Sequence, residues 1–334
     1  MKVLIIRFSS IGDIVLTTPV IRCVKKQLAG VELHYLTKKA FLPVLIANPY
    51  IDKLHVLNDN LDNTIEELKA EKFDHIIDLH HNLRTLKVKR ALKCKAHSFN
   101  KLNIQKWMMT NLKLNLLPSI HIADRYLKTV EHLGVKNDGA GLDYYIPADE
   151  QISQNDIPAS HQLGYIAIVV GAAHSTKRLP LDRLKELVQM IDHPIVLLGG
   201  KEDRIMGEVL AETDPVKIYN ACGKFSLNES AHLVQQAKLL ITHDTGLMHI
   251  GAAFNKKIIT VWGNTIPQFG MYPYFGNAVR NAAGMYDSFE VKGLRCRPCS
   301  KIGYEKCPKG HFNCMMKIDL GGIKAAAQRM LSAT

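Results

Sequence analysis

The chain has 334 residues and a formal net charge of +12, with 47% hydrophobic and 22% charged residues. That length favours two domains over one, and the hydrophobic fraction is typical of a globular protein. No apolar run approaches the roughly 20 residues that a membrane-spanning helix needs. The first residues also lack the apolar stretch and the cleavage site of a signal peptide. We therefore expect a cytoplasmic protein.

The excess of positive charge predicts an anionic partner, which is a nucleic acid, a phosphorylated substrate or an anionic lipid surface. The sequence has no His-containing zinc-finger pattern, no RNA-binding aromatic motif and no long basic tail. Nucleic acid is therefore the weakest of the three choices, and we expect no nucleic-acid partner.

Short apolar runs alternate with helical patterns through the first part of the chain. Strands are predicted at 2–7, 31–36, 53–57 and 75–79, and helices at 15–28, 40–46 and 64–70. Strands that alternate with helices predict a parallel sheet covered on both faces.

A segment with several Gly and Pro residues, 137–163, interrupts this alternation and is interpreted as a linker. Beyond it, strands are predicted at 165–170, 194–198, 216–219, 238–242 and 258–262, and helices at 181–190, 203–213, 227–237 and 246–254. The predicted fold class is α/β, with two doubly wound Rossmann-like domains facing a central cleft. The domains are 1–155 and 163–320, followed by a C-terminal helix at 321–334. Ligands bind at the carboxyl ends of the strands in such sheets.

The first candidate site is the turn between the first strand and the first helix, which contains Ser10, Gly12 and Asp13. Gly12 permits close backbone approach, and the start of the helix offers free N–H groups to an anion. The turn lacks the G-x-G-x-x-G pattern of a nicotinamide site, and no acidic residue is spaced to hold a ribose. Asp13 is either a helix cap or a general base at the cleft floor, and spacing alone favours the cap.

The second candidate site follows the first strand of the second half and contains Gly171, Ser175, Thr176 and Lys177. Small residues, hydroxyls and a lysine are what a diphosphate requires. The alternative is an ordinary connection with an exposed lysine.

The third candidate site lies at another strand end and contains Asp244, Thr245, Gly246 and His249. An Asp-Thr-Gly turn presents N–H groups to a phosphate, and His249 lies one turn further along the helix. The alternative is that Asp244 caps that helix.

Taken together, these motifs resemble those of a known family. MKVLIIRFSSIGDIVLTTP, GAAHSTKRLP, LLGGKEDR and HDTGLMHIGAAFNKKIITVWG are similar to segments of the ADP-heptose:lipopolysaccharide heptosyltransferases of glycosyltransferase family 9. The resemblance implies the two-domain GT-B fold. It also implies an inverting, metal-independent transfer of heptose from ADP-heptose to a lipopolysaccharide inner-core acceptor, with no required cofactor. The alternatives are a relative that uses another nucleotide-sugar and a non-catalytic nucleotide- or polysaccharide-binding protein on the same scaffold.

The resemblance also implies roles for individual residues. Asp13 matches the proposed general base, and Lys177 matches the lysine that holds the donor diphosphate. Glu229 matches a ribose ligand, with Asn228 as the competing match. The other positions implied for donor binding are Ser10, Gly12, Gly171, Ser175, Thr176, Asp244, Thr245, Gly246 and His249.

The acceptor is a lipid-linked oligosaccharide by the same resemblance, and Arg84 and Arg125 match basic residues that meet its acidic sugar. A plain surface charge is the alternative for each arginine. The segment 101–117 mixes lysines with Ile104 and Trp107, which suits the inner face of the inner membrane. A buried core helix and a flexible acceptor lid are the other interpretations of that segment.

Four cysteines cluster as C-x2-C-x7-C-x6-C: Cys296, Cys299, Cys307 and Cys314. In the cytoplasm such spacing suggests structural zinc rather than disulfides. Packed thiols are the alternative.

Overall fold

The computed structural model describes residues 1–280 and 284–332. Its N-terminal half holds a five-stranded sheet in the order β3-β2-β1-β4-β5, in which all pairs are parallel. The strands are β1 (Lys2–Ile6), β2 (Glu32–Lys38), β3 (Lys53–Leu57), β4 (His75–Asp78) and β5 (Lys95–Ser98). β1 is buried almost throughout because it lies at the centre of the sheet with helices on both sides.

The helices of this half cover both faces of the sheet. They are α1 (Ile11–Val15), α2 (Thr18–Gln27), α3 (Leu61–Ala70), α4 (Leu83–Leu92), α5 (Asn103–Trp107) and α6 (Ile122–Leu127). A 3-10 helix at Lys39–Val44 follows β2, and a π-helical turn at Met108–Leu112 follows α5. Three further 3-10 turns occupy the predicted linker, at Ala148–Glu150, Gln154–Asp156 and Ala159–His161.

The C-terminal half holds a six-stranded parallel sheet in the order β11-β10-β9-β6-β7-β8. Its strands are β6 (Ile166–Val169), β7 (Ile195–Leu198), β8 (Ile218–Asn220), β9 (Leu239–His243), β10 (Ile258–Trp262) and β11 (Tyr286–Glu290). Its helices are α7 (Leu181–Met190), α8 (Arg204–Ala211), α9 (Leu227–Gln236), α10 (Gly246–Ala253), α11 (Asn277–Arg280), α12 (Asn313–Met316) and α13 (Leu320–Ser332). The two doubly wound sheets confirm the predicted fold class.

The final helix packs on the C-terminal sheet. Leu320, Ile323 and Met330 of α13 join the same buried cluster as strand residues of β6 and β7. The predicted helix at 321–334 thus corresponds to α13, and its last two residues lie outside the described residues.

Arg22 binds the segment between the two sheets to the N-terminal half through hydrogen bonds and ion pairs. Its guanidinium donates to Asp138 at 2.8 Å, to the Gly141 carbonyl at 2.8 Å and to Asp143. On the other side, Tyr144 donates to the buried Asn228 of α9 at 2.6 Å. The segment predicted as a linker is therefore bound to both halves.

The predicted helix at 15–28 corresponds to α2 (Thr18–Gln27), but its start differs, because the chain forms two helices, α1 and then α2, between residues 11 and 27. The first begins at Ile11, where the Ser10 N–H donates to the Asp13 carboxylate at 3.3 Å. The second begins at Thr18, and Pro19 has no N–H to continue the hydrogen bonding of the first helix. Asp13 therefore lies inside α1 and Ser10 is its N-cap.

The regular elements that carried no prediction include α4, α6, α11, α12, β5 and β11. β5 and β11 are edge strands of their sheets, and every residue in them is at least partly exposed. Polar residues fill them for that reason, so they lack the apolar run that marks a buried strand. The predicted helix at 40–46 is a 3-10 helix with Pro43 inside it.

Candidate active site

The cleft between the two halves lies at the carboxyl ends of four central strands. Chain order reverses between β1 and β4 in the first sheet and between β6 and β9 in the second. Ligands bind at such reversal points in doubly wound sheets. The loops that follow these strands line one cavity of about 860 Å³. The predicted residues that line it are Ser10, Gly12, Asp13, Gly171, Lys177, Asp244, Thr245, Gly246 and His249.

The two halves meet at the floor of the cleft through α1 and α10. A Cβ on Gly12 would lie 2.6 Å from Cδ2 of His249, and a Cβ on Gly246 would lie 2.7 Å from Cγ2 of Ile11. Distances under about 3 Å are not tolerated, so each glycine allows the opposite helix to approach. The first and third candidate sites therefore form one site.

The Asp13 carboxylate is held in place by its neighbours. Oδ1 lies 2.7 Å from Nη2 of Arg7, and Oδ2 accepts the Ser10 hydroxyl at 2.9 Å. Burial acts to raise the pKa of Asp13, but the Arg7 charge and the Ser10 hydrogen bonds outweigh it and hold that pKa below its usual value. Asp13 is therefore a carboxylate at neutral pH, able to accept a proton.

Arg7 is itself fixed by three further acceptors. It donates to the carbonyls of Ser9 at 2.7 Å and Leu79 at 2.6 Å, and to the Tyr126 hydroxyl at 3.1 Å. This network orients the guanidinium toward Asp13 from the end of β1. Arg7 was not among the predicted site residues.

His249 faces Asp13 from the other half of the protein. It is 2% exposed, and burial lowers its pKa to about 4, with Asp244 and Asp13 opposing the shift. The ring is therefore neutral at pH 7. Its Nδ1 is buried without a hydrogen-bond partner.

Lys177 lines the C-terminal wall of the cleft. Its Nζ donates to Oδ2 of Asp244 at 2.7 Å, and the same oxygen accepts the Thr265 hydroxyl at 3.0 Å. The second and third candidate sites are therefore joined by this ion pair, and an arriving diphosphate would compete with Asp244 for the lysine.

Gly171 has a packing role at the end of β6. A Cβ there would meet Oδ2 of Asp203 at 2.0 Å, and Asp203 in turn accepts from Arg178 at 3.0 Å and from the Gly200 N–H at 2.9 Å. Asp203 and its neighbour Glu202 line the cleft and were not predicted.

Three of the predicted donor residues do not line the cleft. Ser175 lies in a 3-10 turn away from the lining. The buried Thr176 hydroxyl donates to the Tyr304 carbonyl at 3.0 Å and accepts its N–H at 2.8 Å. Glu229 accepts the Ser226 N–H at 2.6 Å, which makes it part of the N-terminal cap of α9.

Asn228, the competing match for Glu229, is fully buried and donates to Glu150 at 3.0 Å. The α9 side chains that do reach the cleft are Ser226, Leu227 and Ser230. The S-x-x-E pattern at 226–229 is a capping signature visible in the sequence.

The two predicted acceptor arginines also lie outside the lining. Arg84 is exposed and its Cζ lies 5.3 Å from the centre of the Phe8 ring. Arg125 is 6% exposed, and its Nε and Nη2 have no hydrogen-bond partner. Burial lowers the pKa of Arg125.

Four cations that were not predicted line the cleft instead: Arg7, Lys101, Lys106 and Lys301. Burial, followed by the Arg125 charge, lowers the pKa of Lys106 to about 8. Burial also lowers the pKa of Lys101. Both shifts show that these ammonium groups lie in a partly desolvated, positively charged environment. An anionic ligand bound there would offset the repulsion between the positive charges. We call these four residues the basic wall.

Among the four clustered thiols, burial and then the Cys299 charge raise the pKa of Cys314 to about 12. Cys296 Sγ is 3.9 Å from Nε2 of His311. In the part of the chain that the structure describes, the groups of three ligand atoms within 4.8 Å of one another do not include these cysteines. Zinc binding here stays a prediction that requires the thiols to draw closer.

None of the helices within 1–280 and 284–332 combines the length and the apolar character needed to cross a bilayer.

Comparison with known proteins agrees with this geometry. The model of glycosyltransferase family 9 (heptosyltransferase) matches residues 63–293. Lipopolysaccharide heptosyltransferase 1 of Campylobacter coli is 26% identical over 292 residues, which cover 79% of this chain and 84% of the relative.

Solved structures show the same fold. The glycosyl transferase family 9 protein of Veillonella parvula DSM 2008 superposes with a TM-score of 0.77 at 22% identity, covering 100% of this chain and 98% of the other. The Escherichia coli heptosyltransferase WaaC, solved with ADP, superposes with a TM-score of 0.69 at 18% identity, covering 99% and 100%. The fold is therefore GT-B, and the chain belongs to glycosyltransferase family 9, the heptosyltransferase family, and is a glycosyltransferase.

Proposed function

We propose that the protein transfers heptose from ADP-heptose to a lipopolysaccharide inner-core acceptor, with inversion at the anomeric carbon and without a metal ion. The observation that carries the proposal is that Asp13 of one half and Lys177 and His249 of the other line the same cavity. The name of the Campylobacter coli relative supports the acceptor class, and the ADP complex of the Escherichia coli enzyme supports the nucleotide.

Asp13 would act as the general base. Its ionised carboxylate accepts the proton of the acceptor hydroxyl as that oxygen attacks the anomeric carbon. The acceptor oxygen forms the new bond while the bond to the ADP oxygen breaks. A single displacement of this kind inverts the configuration of the sugar.

Lys177 would stabilise the departing ADP. Its ammonium group supplies positive charge beside the bond that breaks, which is the role of an electrostatic stabiliser. In this state Asp244 holds the lysine at 2.7 Å, so the lysine is oriented before the donor arrives. The N–H groups at the start of α10, next to Thr245 and Gly246, offer further donors to the phosphates.

The basic wall would hold the acceptor. An inner-core acceptor carries acidic sugars and phosphates, and the four cations of the wall lie on the Asp13 side of the cleft. Arg125 lies behind Lys106 and strengthens the positive potential there.

We also propose that the segment 104–116 rests on the anionic face of the inner membrane, where the lipid-linked acceptor is found. Apolar side chains that are half exposed or more lie along it: Ile104, Trp107, Leu112, Leu114 and Leu116. Lys106 of this segment and Lys101, just before it, line the cleft. The segment would therefore place the cleft mouth at the bilayer surface.

Vesicle flotation tests the membrane contact. The double variant Ile104→Ser, Trp107→Ser should lose binding to phosphatidylglycerol vesicles. Leu163→Ser removes a side chain that is 92% exposed elsewhere and should bind as the native protein does. Equal binding of all three proteins would contradict the proposal.

The cofactor proposal has two parts. Transfer requires no added metal, because Lys177 supplies the charge that the leaving group needs, and any zinc held by Cys296, Cys299, Cys307 and Cys314 is structural. Chelator treatment should therefore leave the rate of transfer unchanged while lowering the thermal stability.

The test of the reaction is an assay of the purified protein with ADP-heptose and a heptose-deficient lipopolysaccharide acceptor. Mass spectrometry should show one added heptose, and NMR should show the inverted anomeric configuration. A product only with a UDP-, GDP- or CDP-sugar would keep the glycosyltransferase and change the donor. ADP binding without transfer to any acceptor would contradict the enzymatic role.

A further inference from the structure

Three histidines of the N-terminal half gather at the edge of its sheet that faces away from the cleft. They are His75 at the start of β4, His97 in the edge strand β5, and His132 in the 3-10 helix Glu131–Leu133. One ring nitrogen from each lies within 4.8 Å of the others. We propose that His75, His97 and His132 form a binding site for Zn²⁺ or a similar divalent transition metal.

The three rings are in contact. The His97 and His132 rings stack with their centres 3.4 Å apart, and the centres of the His75 and His132 rings are 5.7 Å apart. The parallel pairing of β4 with β5 sets Ile77 opposite His97, so His75, two residues before Ile77, lies on the same face of the sheet as His97. The backbone therefore fixes two of the three ligands.

Two of the three rings, those of His75 and His132, lie in surroundings that favour the neutral form. Burial lowers the pKa of His75, and burial followed by the neighbouring histidines lowers that of His132. Neutral imidazoles with free lone pairs are what Zn²⁺ binds. Asp74 opposes the shift at His75, and Lys95 reinforces it at both rings.

The hydrogen bonding also fits a metal site. The Nδ1 of His75 is buried with no hydrogen-bond partner, which is costly unless a ligand satisfies it. The Thr129 backbone carbonyl acts to raise the pKa of His132, so it lies beside the ring. Metal-bound histidines commonly donate their second N–H to a backbone carbonyl.

Coordination requires the rings to rotate, because the His97 and His132 rings are stacked and their lone pairs do not converge on one point. With Zn–N bonds of about 2.0–2.1 Å, tetrahedral ligand nitrogens lie roughly 3.3 Å apart. The three ligand nitrogens now lie within 4.8 Å of one another. Side-chain rotation can bring them closer, because His97 and His75 are partly exposed and His132 is exposed. Three histidines leave a fourth position for water.

A second group of potential ligands, His34, His55 and Glu71, is already satisfied. His34 hydrogen-bonds to His55 at 2.8 Å and to Glu32 at 2.8 Å. Glu71 forms ion pairs with Lys2 and Lys53. A metal would have to break these bonds, so this group does not carry the same inference.

The proposed metal would join three elements rather than take part in transfer. His75 begins β4, whereas the cleft lies beyond the other end of that strand. The chain leaves β5 directly into Phe99 and Lys101, which line the cleft. A metal at His97 would therefore anchor the edge strand from which the acceptor side of the cleft emerges.

The test is a titration of the full-length protein with Zn²⁺, followed by calorimetry and by metal analysis after dialysis. The double variant His97→Ala, His132→Ala should bind one Zn²⁺ fewer per chain, or bind it at least about tenfold more weakly. Any zinc held by the cysteines is common to both proteins and cancels in the comparison. Zn²⁺ should also raise the melting temperature of the native protein more than that of the variant.

His193→Ala is the matched control. His193 is half-buried, has an unpartnered Nε2 and a pKa lowered by burial, yet it belongs to neither ligand group. Its stoichiometry should equal that of the native protein. Equal stoichiometry and affinity in the native protein and the double variant would overturn the proposal.

Anomalous diffraction at the zinc edge serves if the double variant does not fold. A peak between the three imidazoles of the native protein supports the site. Zinc located only at the cysteines, or nowhere, overturns it.

Discussion

Gly12 of α1 and His249 of α10 lie so close that a Cβ on Gly12 would sit 2.6 Å from Cδ2 of the histidine. This contact joins the N-terminal half of the protein to the C-terminal half at the floor of the cleft. It also sets the distance between Asp13, one residue further along α1, and the wall that contains Lys177. In the proposed mechanism, the spacing of the reacting groups therefore depends on the absence of one methyl group.

We expect Gly12→Ala to lower kcat/KM at least about tenfold without unfolding the protein. Alanine favours helix over glycine by about 1 kcal/mol, so the backbone of α1 is not harmed, and the loss comes from displacement of His249. Steady-state kinetics and thermal unfolding check this. Gly321→Ala is the control, because Gly321 is an exposed glycine in α13 and an added Cβ would lie 3.5 Å from Oδ1 of Asp319, an ordinary contact distance. That variant should keep full activity, and a fully active Gly12→Ala would contradict the steric argument.

Asp13→Asn should lower kcat by about 10²- to 10⁴-fold, which is the usual contribution of a general base. The affinity for ADP should change by less than about twofold, since the amide keeps the shape of the side chain and Asp13 does not face the phosphates in the proposed mechanism. Calorimetry with ADP and a transfer assay separate the two effects. Loss of ADP binding in this variant would refute the assignment of Asp13 as the base.

Lys177→Met should weaken ADP binding by about 10- to 100-fold, because a hydrogen bond to a charged group contributes about 1.5–3 kcal/mol. Adenosine lacks the diphosphate and is the control ligand, so its affinity should not change. An equal loss for adenosine and ADP would show that the variant disturbs the cleft rather than a phosphate contact.

The sequence predicts the architecture well because both sheets are buried. Central strands such as β1 and β9 are continuous apolar runs, and the turns after them carry Asp13 and Asp244. The carboxyl ends of parallel strands must share an edge, so the meeting of these turns at one cleft follows from the fold alone.

The details that escaped prediction depend on contacts distant in sequence. Thr176 has the right residue type for a phosphate ligand, yet the backbone of Tyr304, 128 residues away, occupies its hydroxyl. Lys101 and Lys106 reach the cleft because β5 is an edge strand that directs the following chain there, and β5 has no apolar signature. No local sequence pattern indicates that the Thr176 hydroxyl is occupied or that these two lysines reach the cleft.

If the basic wall holds the acceptor, removing its charges should affect the KM for the acceptor and not the KM for the donor. The double variant Lys101→Ala, Lys106→Ala should raise the KM for the acceptor at least about tenfold, since two partly desolvated cations are lost, and leave the KM for the donor nearly unchanged. Lys87→Ala, an exposed lysine of α4 that does not line the cleft, is the matched control. A parallel rise of both KM values would contradict the assignment of the wall to the acceptor.

Three buried histidines predict how stability depends on pH. Burial lowers the pKa of His121 to about 3 and those of His243 and His249 to about 4. Two of them also need a neutral ring nitrogen, because Nδ1 of His121 accepts the Ala123 N–H at 3.1 Å and Nε2 of His243 accepts the Leu179 N–H at 3.0 Å. The unfolded chain protonates these rings near pH 6.5. Between about pH 6.5 and 4 the unfolded state therefore binds more protons, and the free energy of unfolding falls as the pH is lowered.

Each of these histidines should contribute up to about 1.4 kcal/mol of lost stability per pH unit over that window. Urea unfolding at pH 7, 6 and 5 measures how the free energy of unfolding depends on pH. His121→Asn isolates the contribution of His121, because asparagine preserves the helix cap without titrating. The pH dependence of that variant should be shallower by about one proton. His311→Asn is the matched control, since Nδ1 of His311 also accepts the N–H two residues on, at 3.0 Å, but the ring is exposed. An identical pH dependence for His121→Asn and the native protein would show that His121 is protonated in the folded state, against the burial and the hydrogen bond that keep it neutral.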